Sequence, residues 1–151
     1  MLGKVDAQTT ENMPEGSASL KGARFEVTYY DVQGQGNQDS VSKSVADGIA
    51  GQAKTTRTWT YETAEDGTIS LTYDTPLSGS DNLYYESDGK TPTLPIGTIV
   101  IHEVQAPTGY INNNEDVYWV RSVTAEGNTE TVETYDAPDG DTSIKEQVKK
   151  R

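Results

Sequence analysis

The chain has 151 residues, enough for one domain with a real core, but only 32% are hydrophobic, so that core depends on nine tyrosines and two tryptophans. Twenty-four acidic residues against 12 basic ones give a net charge of -12, which argues against nucleic acid or an anionic membrane as partner and favours solubility. The absence of cysteine excludes disulfides and thiolate metal sites, the single histidine removes most zinc and Ser-His-Asp arrangements, and no apolar run reaches transmembrane length.

Met1 followed at once by a strand-like segment reads as a piece of a longer chain carrying an added start residue. Leu2 to Asp6 is the first short strand, and 7–17 is a polar loop. From Leu20 a turn leads into a half-buried strand to Tyr30, with Ala23, Phe25, Val27 and Tyr29 on one face and Arg24, Glu26, Thr28 and Tyr30 on the other. Residues 31–54 form a polar, Gly-rich insertion with room for one or two helical turns, capped by Asp39 or Ser40. Thr55 to Thr63 alternates, with Arg57, Trp59 and Tyr61 together. Ala64-Glu65-Asp66-Gly67 turns it into a partner strand, Thr68 to Tyr73, whose Ile69, Leu71 and Tyr73 face the core. Residues 74–93 are a second polar loop with an edge-strand candidate at Leu83-Tyr84-Tyr85.

The central strand runs from Thr98 to Val104 after a Pro95/Gly97 turn, rich in β-branched residues. Alternation puts Ile99, Ile101 and Glu103 on one face, so a carboxylate points with two isoleucines toward the core, where it has to be protonated or partnered. Beyond the turn at 106–109 and a polar turn at 112–116, Val117 to Thr124 and Thr129 to Tyr135 read as a hairpin. Asp136 to Asp141 reads as a loop and Thr142 to Val148 as the last strand. The basic end, Lys149-Lys150-Arg151, resembles the start of a linker. About eight short strands without a long amphipathic helix make an all-β, antiparallel β-sandwich of one domain, 1–151. Its strand core covers about 2–7, 20–30, 55–73, 94–136 and 142–148. An immunoglobulin-type sandwich lacks its Cys/Trp/Cys pattern here.

Glu103-Val-Gln-Ala106-Pro107-Thr-Gly109-Tyr110, following Leu94-Pro-Ile-Gly97, resembles the signature of Cna-protein B-type (SpaA-like, prealbumin-like) domains of Gram-positive surface adhesins and pilins. Lys4-Val-Asp6 followed by Leu20-x-Gly22-Ala23-x-Phe25 is similar to the opening of the same domains. The resemblance implies a prealbumin-like, reverse immunoglobulin-like sandwich at the bacterial cell wall, acting as a stalk or spacer. Its partners would be neighbouring domains of the same chain, with a host protein or glycan as a further ligand. It implies a monomer with no cofactor, no metal, no membrane contact within the domain and no turnover chemistry.

Many such domains form an autocatalytic amide between a lysine on the first strand and an Asn or Asp on the last, promoted by the motif's glutamate. The lysine has to be neutral to attack, which apolar burial favours, and the same burial keeps a glutamate protonated for shuttling. Carried over, Lys4 is the nucleophile and Glu103 the shuttle. The acceptor position departs from the pattern: alternation over Thr142, Ile144, Glu146 and Val148 places Glu146 there, with Gln147 pointing outward. The alternatives are a buried Lys4–Glu103–Glu146 charge cluster with no covalent bond, and a frayed, solvated Lys4.

Other candidates carry less. His102 has no second ligand nearby, and Asp136-x-x-Asp139-Gly-Asp141 lacks the regular spacing of a calcium loop. Tyr84, Tyr85, Tyr118 and Trp119 are needed largely by the core. The rival function is a ligand-binding adhesin module built from the 31–54 and 74–93 loops, for which a cluster of exposed aromatics would be the mark. A β-sandwich hydrolase or carbohydrate-binding module needs paired carboxylates across a groove, which the sequence does not place.

Overall fold

A computed structural model of the chain describes residues 2–6, 20–71, 73–128 and 130–138, with the backbone alone for 2–6, 137 and 138. In chain order the elements are β1 (Leu2–Asp6), β2 (Arg24–Tyr30), β3 (Gln38–Val41), α1 (Lys43–Ala50), β4 (Thr56–Glu62), β5 (Thr68–Ile69), β6 (Tyr84–Tyr85), β7 (Pro92–Thr93), β8 (Gly97–Gln105), β9 (Tyr110–Ile111), β10 (Tyr118–Val123) and β11 (Val132–Pro138). They form a five-stranded sheet in the order β3-β10-β8-β2-β4, a four-stranded sheet in the order β5-β1-β11-β9, and a small β6-β7 hairpin. Every pairing is antiparallel except that of β1 with β11, which is parallel.

The main core lies between the two sheets. It takes Phe25, Val27 and Tyr29 from β2, Trp59 and Tyr61 from β4, Ile99 and Ile101 from β8, and Trp119 and Val123 from β10, against Ile69 and Val132 of the other sheet. A second, smaller core forms on the outer face of the five-stranded sheet, where Ala46 and Ile49 of α1 cover Val100 and Val120 beside Val32. The middle strand β8 is therefore buried on both faces from Gly97 to Ile101, which accounts for its unbroken β-branched run. Gly97 has no alternative there: a Cβ would sit 2.5 Å from the Tyr30 carbonyl oxygen and 2.9 Å from the Tyr29 ring.

Both polar loops are structural. The 31–54 insertion supplies β3, which extends the sheet beside β10, and α1, which covers the sheet's outer face. Ser42, not Asp39 or Ser40, caps the helix, its Oγ accepting the Val45 N–H at 3.4 Å. Asp31 closes the base of the insertion by accepting the backbone N–H groups of Lys54 (2.8 Å) and Thr55 (3.0 Å). Those donors hold the exposed Asp31 carboxyl below its ordinary range. The 74–93 loop runs along the free edge of β4. There the Thr58 N–H donates to Asp81 Oδ2 and the Thr60 N–H to Ser80 Oγ, while the carbonyls of Thr60 and Thr58 accept from Leu77 and Asp81. An edge that would otherwise invite pairing with another chain is thereby satisfied.

Neither expected hairpin forms, since β4 and β5 lie in different sheets, as do β10 and β11, and two further segments differ from expectation. The strand beginning at Thr68 ends after Ile69, because a turn closes between Ser70 and Asp74, with Asp74 N–H to Ser70 O at 2.9 Å and Ser70 N–H to Asp74 Oδ2 at 2.8 Å. Tyr73 is consequently 87% exposed and does not face the core. Asp136, expected in a loop, lies inside β11, where Val132, Thr134 and Asp136 are the buried face of a strand paired with β1. The expected last strand, Thr142 to Val148, lies outside the described residues. Among the described residues no helix is long and apolar enough to cross a membrane.

Candidate functional site

Glu103 is the seventh residue of β8, and its carboxylate is fully buried. A bulge fixes its setting: Phe25 pairs with Glu103 and Arg24 with Gln105, so the intervening Val104 is the extra residue and stands 45% exposed. The chain then reverses at Ala106-Pro107-Thr108-Gly109, where the Tyr110 N–H returns to the Pro107 carbonyl at 3.0 Å and Gly109 takes φ +89°, a conformation suited to glycine. The reversal feeds β9, which pairs with the end of β11 through Tyr110↔Pro138 and Ile111↔Ala137. The signature motif thus carries the chain from the end of β8 in one sheet to the edge of the other.

The three asparagines that follow fold back over Glu103. Asn112 Nδ2 donates to the Glu103 backbone carbonyl at 3.1 Å, and Asn112 Oδ1 accepts the Asn114 N–H at 2.8 Å. Asn114 Nδ2 lies 2.7 Å from Glu103 Oε1, 3.1 Å from Asp136 Oδ1 and 3.2 Å from the Tyr135 carbonyl. All three neighbours are acceptors, which fixes this end of the side chain as the NH2 group. One hydrogen serves Glu103, and the other is shared between Asp136 and Tyr135. Asp136 Oδ1 also accepts the backbone N–H of Asn113 at 3.2 Å. Asp136, like Glu103, is 0% exposed. A single amide therefore joins two buried carboxyl groups, one from β8 of the five-stranded sheet and one from β11 of the four-stranded sheet.

Of the residues singled out in the sequence, Glu103 is at the centre of this arrangement. The backbone of Lys4 holds the register position opposite Thr134 in the parallel β1–β11 pair, two residues before the Asp6↔Asp136 pairing. The Lys4 side chain and Glu146 lie outside the described residues, as do Gln147, Asp139 and Asp141. Asp136, Asn113 and Asn114 are the members that sequence reasoning missed. Among the described lysines, Lys21, Lys43, Lys54 and Lys90 are all exposed.

The remaining candidates resolve into packing. His102 stacks on Tyr118 with ring centroids 4.1 Å apart, and its Nδ1 lies 3.0 Å from the Val117 carbonyl oxygen. Tyr84 packs edge-on against Tyr29 and Trp59, with Arg57 3.7 Å above its ring, so it anchors the β6–β7 hairpin. Trp119 is buried. A cavity of about 540 Å³ opens between the sheets beside Trp59, Leu71, Leu94 and Val123. The Arg121 guanidinium on its wall is tied to Asp39 at 2.7 Å and Glu130 at 3.5 Å. Among the described residues no group of three or more His, Cys, Asp or Glu is arranged to hold a metal ion.

Two sheets closed over one core, with the first strand set beside β11 and a buried glutamate at the end of the central strand, define a prealbumin-like structural domain. Residues 2–138 match the SpaA family, described as a prealbumin-like fold domain, and the chain belongs to that family. A search of curated proteins found no match. SpaA domains belong to Gram-positive surface proteins and are in general structural modules, and the match is consistent with a module of pilin or adhesin type.

Proposed function

We propose that the domain is a load-bearing spacer of a Gram-positive cell-surface adhesin or pilin-like protein, exposed outside the cell and joined to neighbouring domains of its own chain. We further propose that an amide between Lys4 and Asp136, formed once with Glu103 as proton shuttle, closes it. The observation that carries this reading is the buried Glu103–Asn114–Asp136 bridge beside a parallel pair of strands. Asp136 takes the acceptor role that the sequence reading gave to Glu146. It is an aspartate, it is buried within a strand paired to the strand of Lys4, and it shares a donor with Glu103.

The strand geometry supports the mechanical part. Pulling β1 by its start and β11 by its end draws two parallel neighbours apart along their length, so the pairs from Leu2↔Val132 to Asp6↔Asp136 are loaded together in shear. The loops support the spacer over the binding module, since each is spent on covering the sheet or its edge.

The test is the intact mass of the purified domain beside Lys4→Ala, Glu103→Ala and Asp136→Ala. Condensation of an amine with a carboxyl group removes one water, about 18 Da. The parent should be lighter than its sequence by that amount, and Lys4→Ala and Asp136→Ala should show their full calculated masses. A parent at full mass ends the cross-link.

A further inference from the structure

We propose that the Asn113–Asn114 segment is an oxyanion hole for acyl transfer at Asp136. The proposal rests on the Lys4–Asp136 cross-link and names what stabilises its transition state. Two N–H donors converge on one oxygen of the acceptor carboxyl: the backbone N–H of Asn113 at 3.2 Å and Asn114 Nδ2 at 3.1 Å, both to Asp136 Oδ1. Attack on Cγ by the neutral amine of Lys4 puts negative charge on that oxygen. Donors already in place beside a fully buried carboxyl group stabilise the developing charge without reorganising. Ground-state distances just above 3 Å leave room for both bonds to shorten as the charge builds.

The step balances as a condensation. The Nζ–Cγ bond forms and the Cγ–Oδ2 bond breaks. One amine hydrogen stays on the new amide, and the other passes through Glu103 to Oδ2, which leaves with the carboxyl proton as water. No oxidant or reductant is required. Asn114 couples the two halves of this step, because the NH2 group that contacts Asp136 Oδ1 is also 2.7 Å from Glu103 Oε1. Its own position is set from below: Asn112 Oδ1 holds its backbone N–H, and its carbonyl accepts the Val117 N–H at 3.1 Å.

The experiment follows cross-linking in the whole chain made by cell-free synthesis, sampled from minutes to days, with the fraction that has lost water read by intact mass. Asn114→Ala, and Asn114→Leu as a shape-keeping variant without a donor, should slow the reaction by about 10²-fold or more, the usual effect of deleting one oxyanion donor. Asn114→Ser, which returns a single O–H donor, should recover part of that rate. The same substitutions placed in the uncross-linkable Lys4→Ala chain separate fold from chemistry: the loss of a donor between two buried carboxyl groups should lower the unfolding midpoint, but the chain should remain folded at the temperature at which the rate is read. A folded Asn114→Ala or Asn114→Leu chain that cross-links within about threefold of the parent overturns the oxyanion hole and leaves the cross-link standing. A parent that never loses water overturns both.

Discussion

A covalent tie between Lys4 and Asp136 changes what a pulling force can do to this domain. Load entering at the first strand would pass through the amide and leave along β11, and the chain between the two residues would carry none of it. About 130 residues lie in that protected stretch, and at roughly 3.4 Å per extended residue they hold about 440 Å of contour length. Lys4→Ala removes the nucleophile. The load then falls on the β1–β11 pairs, and once these shear the stored length is released in one step. Single-molecule extension of the domain, flanked by marker domains of known length, reads this directly. The parent should add no step of its own, and Lys4→Ala should add one near 440 Å. A parent that releases this length has no bond between its terminal strands, and the mechanical reading built on that bond fails.

Two predictions concern the fold. Gly97→Ala drives a methyl group against the Tyr30 carbonyl and the Tyr29 ring, at 2.5 and 2.9 Å, and the carbonyl belongs to the β2 backbone and cannot swing away. Urea unfolding in the Lys4→Ala chain should show a loss of about 1–3 kcal/mol, and a loss within about 0.5 kcal/mol would contradict the close approach. Tyr61 is buried, and desolvation, helped by the charge of Asp74, pushes its phenol from 10.0 up to about 12. A raised pKa means the folded state holds the proton more tightly, so this contribution is fully present below about pH 10 and is lost as pH rises toward 12. Across that window the parent should lose up to about 3 kcal/mol that Tyr61→Phe does not lose. Parallel pH curves for the two chains would refute it.

The sandwich was legible in the sequence wherever one face of a strand is buried and the other is wet. Phe25, Val27 and Tyr29 alternate cleanly, and so do Trp59 and Tyr61, because the sheet's pleat imposes a period of two. The inward placement of Glu103 followed from the same period on β8. What escaped depends on partners distant in sequence. Asp136-Ala-Pro-Asp-Gly carries every local sign of a turn, and only pairing with β1, more than a hundred residues away, makes its first part a strand. Asn112 to Asn114 read as a polar turn, which they are. Nothing periodic marks which amide reaches back to the carboxyl groups, since that depends on a turn set by Gly109 and on β9 pairing with β11. The strand expected to Tyr73 failed for a local reason, the Ser70–Asp74 turn, which side-chain alternation does not register.

Tryptic digestion of the denatured domain locates the proposed Lys4–Asp136 bond itself. An amide on Lys4 blocks cleavage there, so peptide 1–21 should appear branched onto peptide 122–145, which carries Asp136. Fragmentation should place the branch between Lys4 and Asp136. A branch onto peptide 146–149 would return the acceptor role to Glu146 and make Asp136 a buried bystander. Linear peptides ending and beginning at the Lys4–Val5 bond would show that no cross-link forms, and that packing and the β1–β11 hydrogen bonds alone hold the terminal strands.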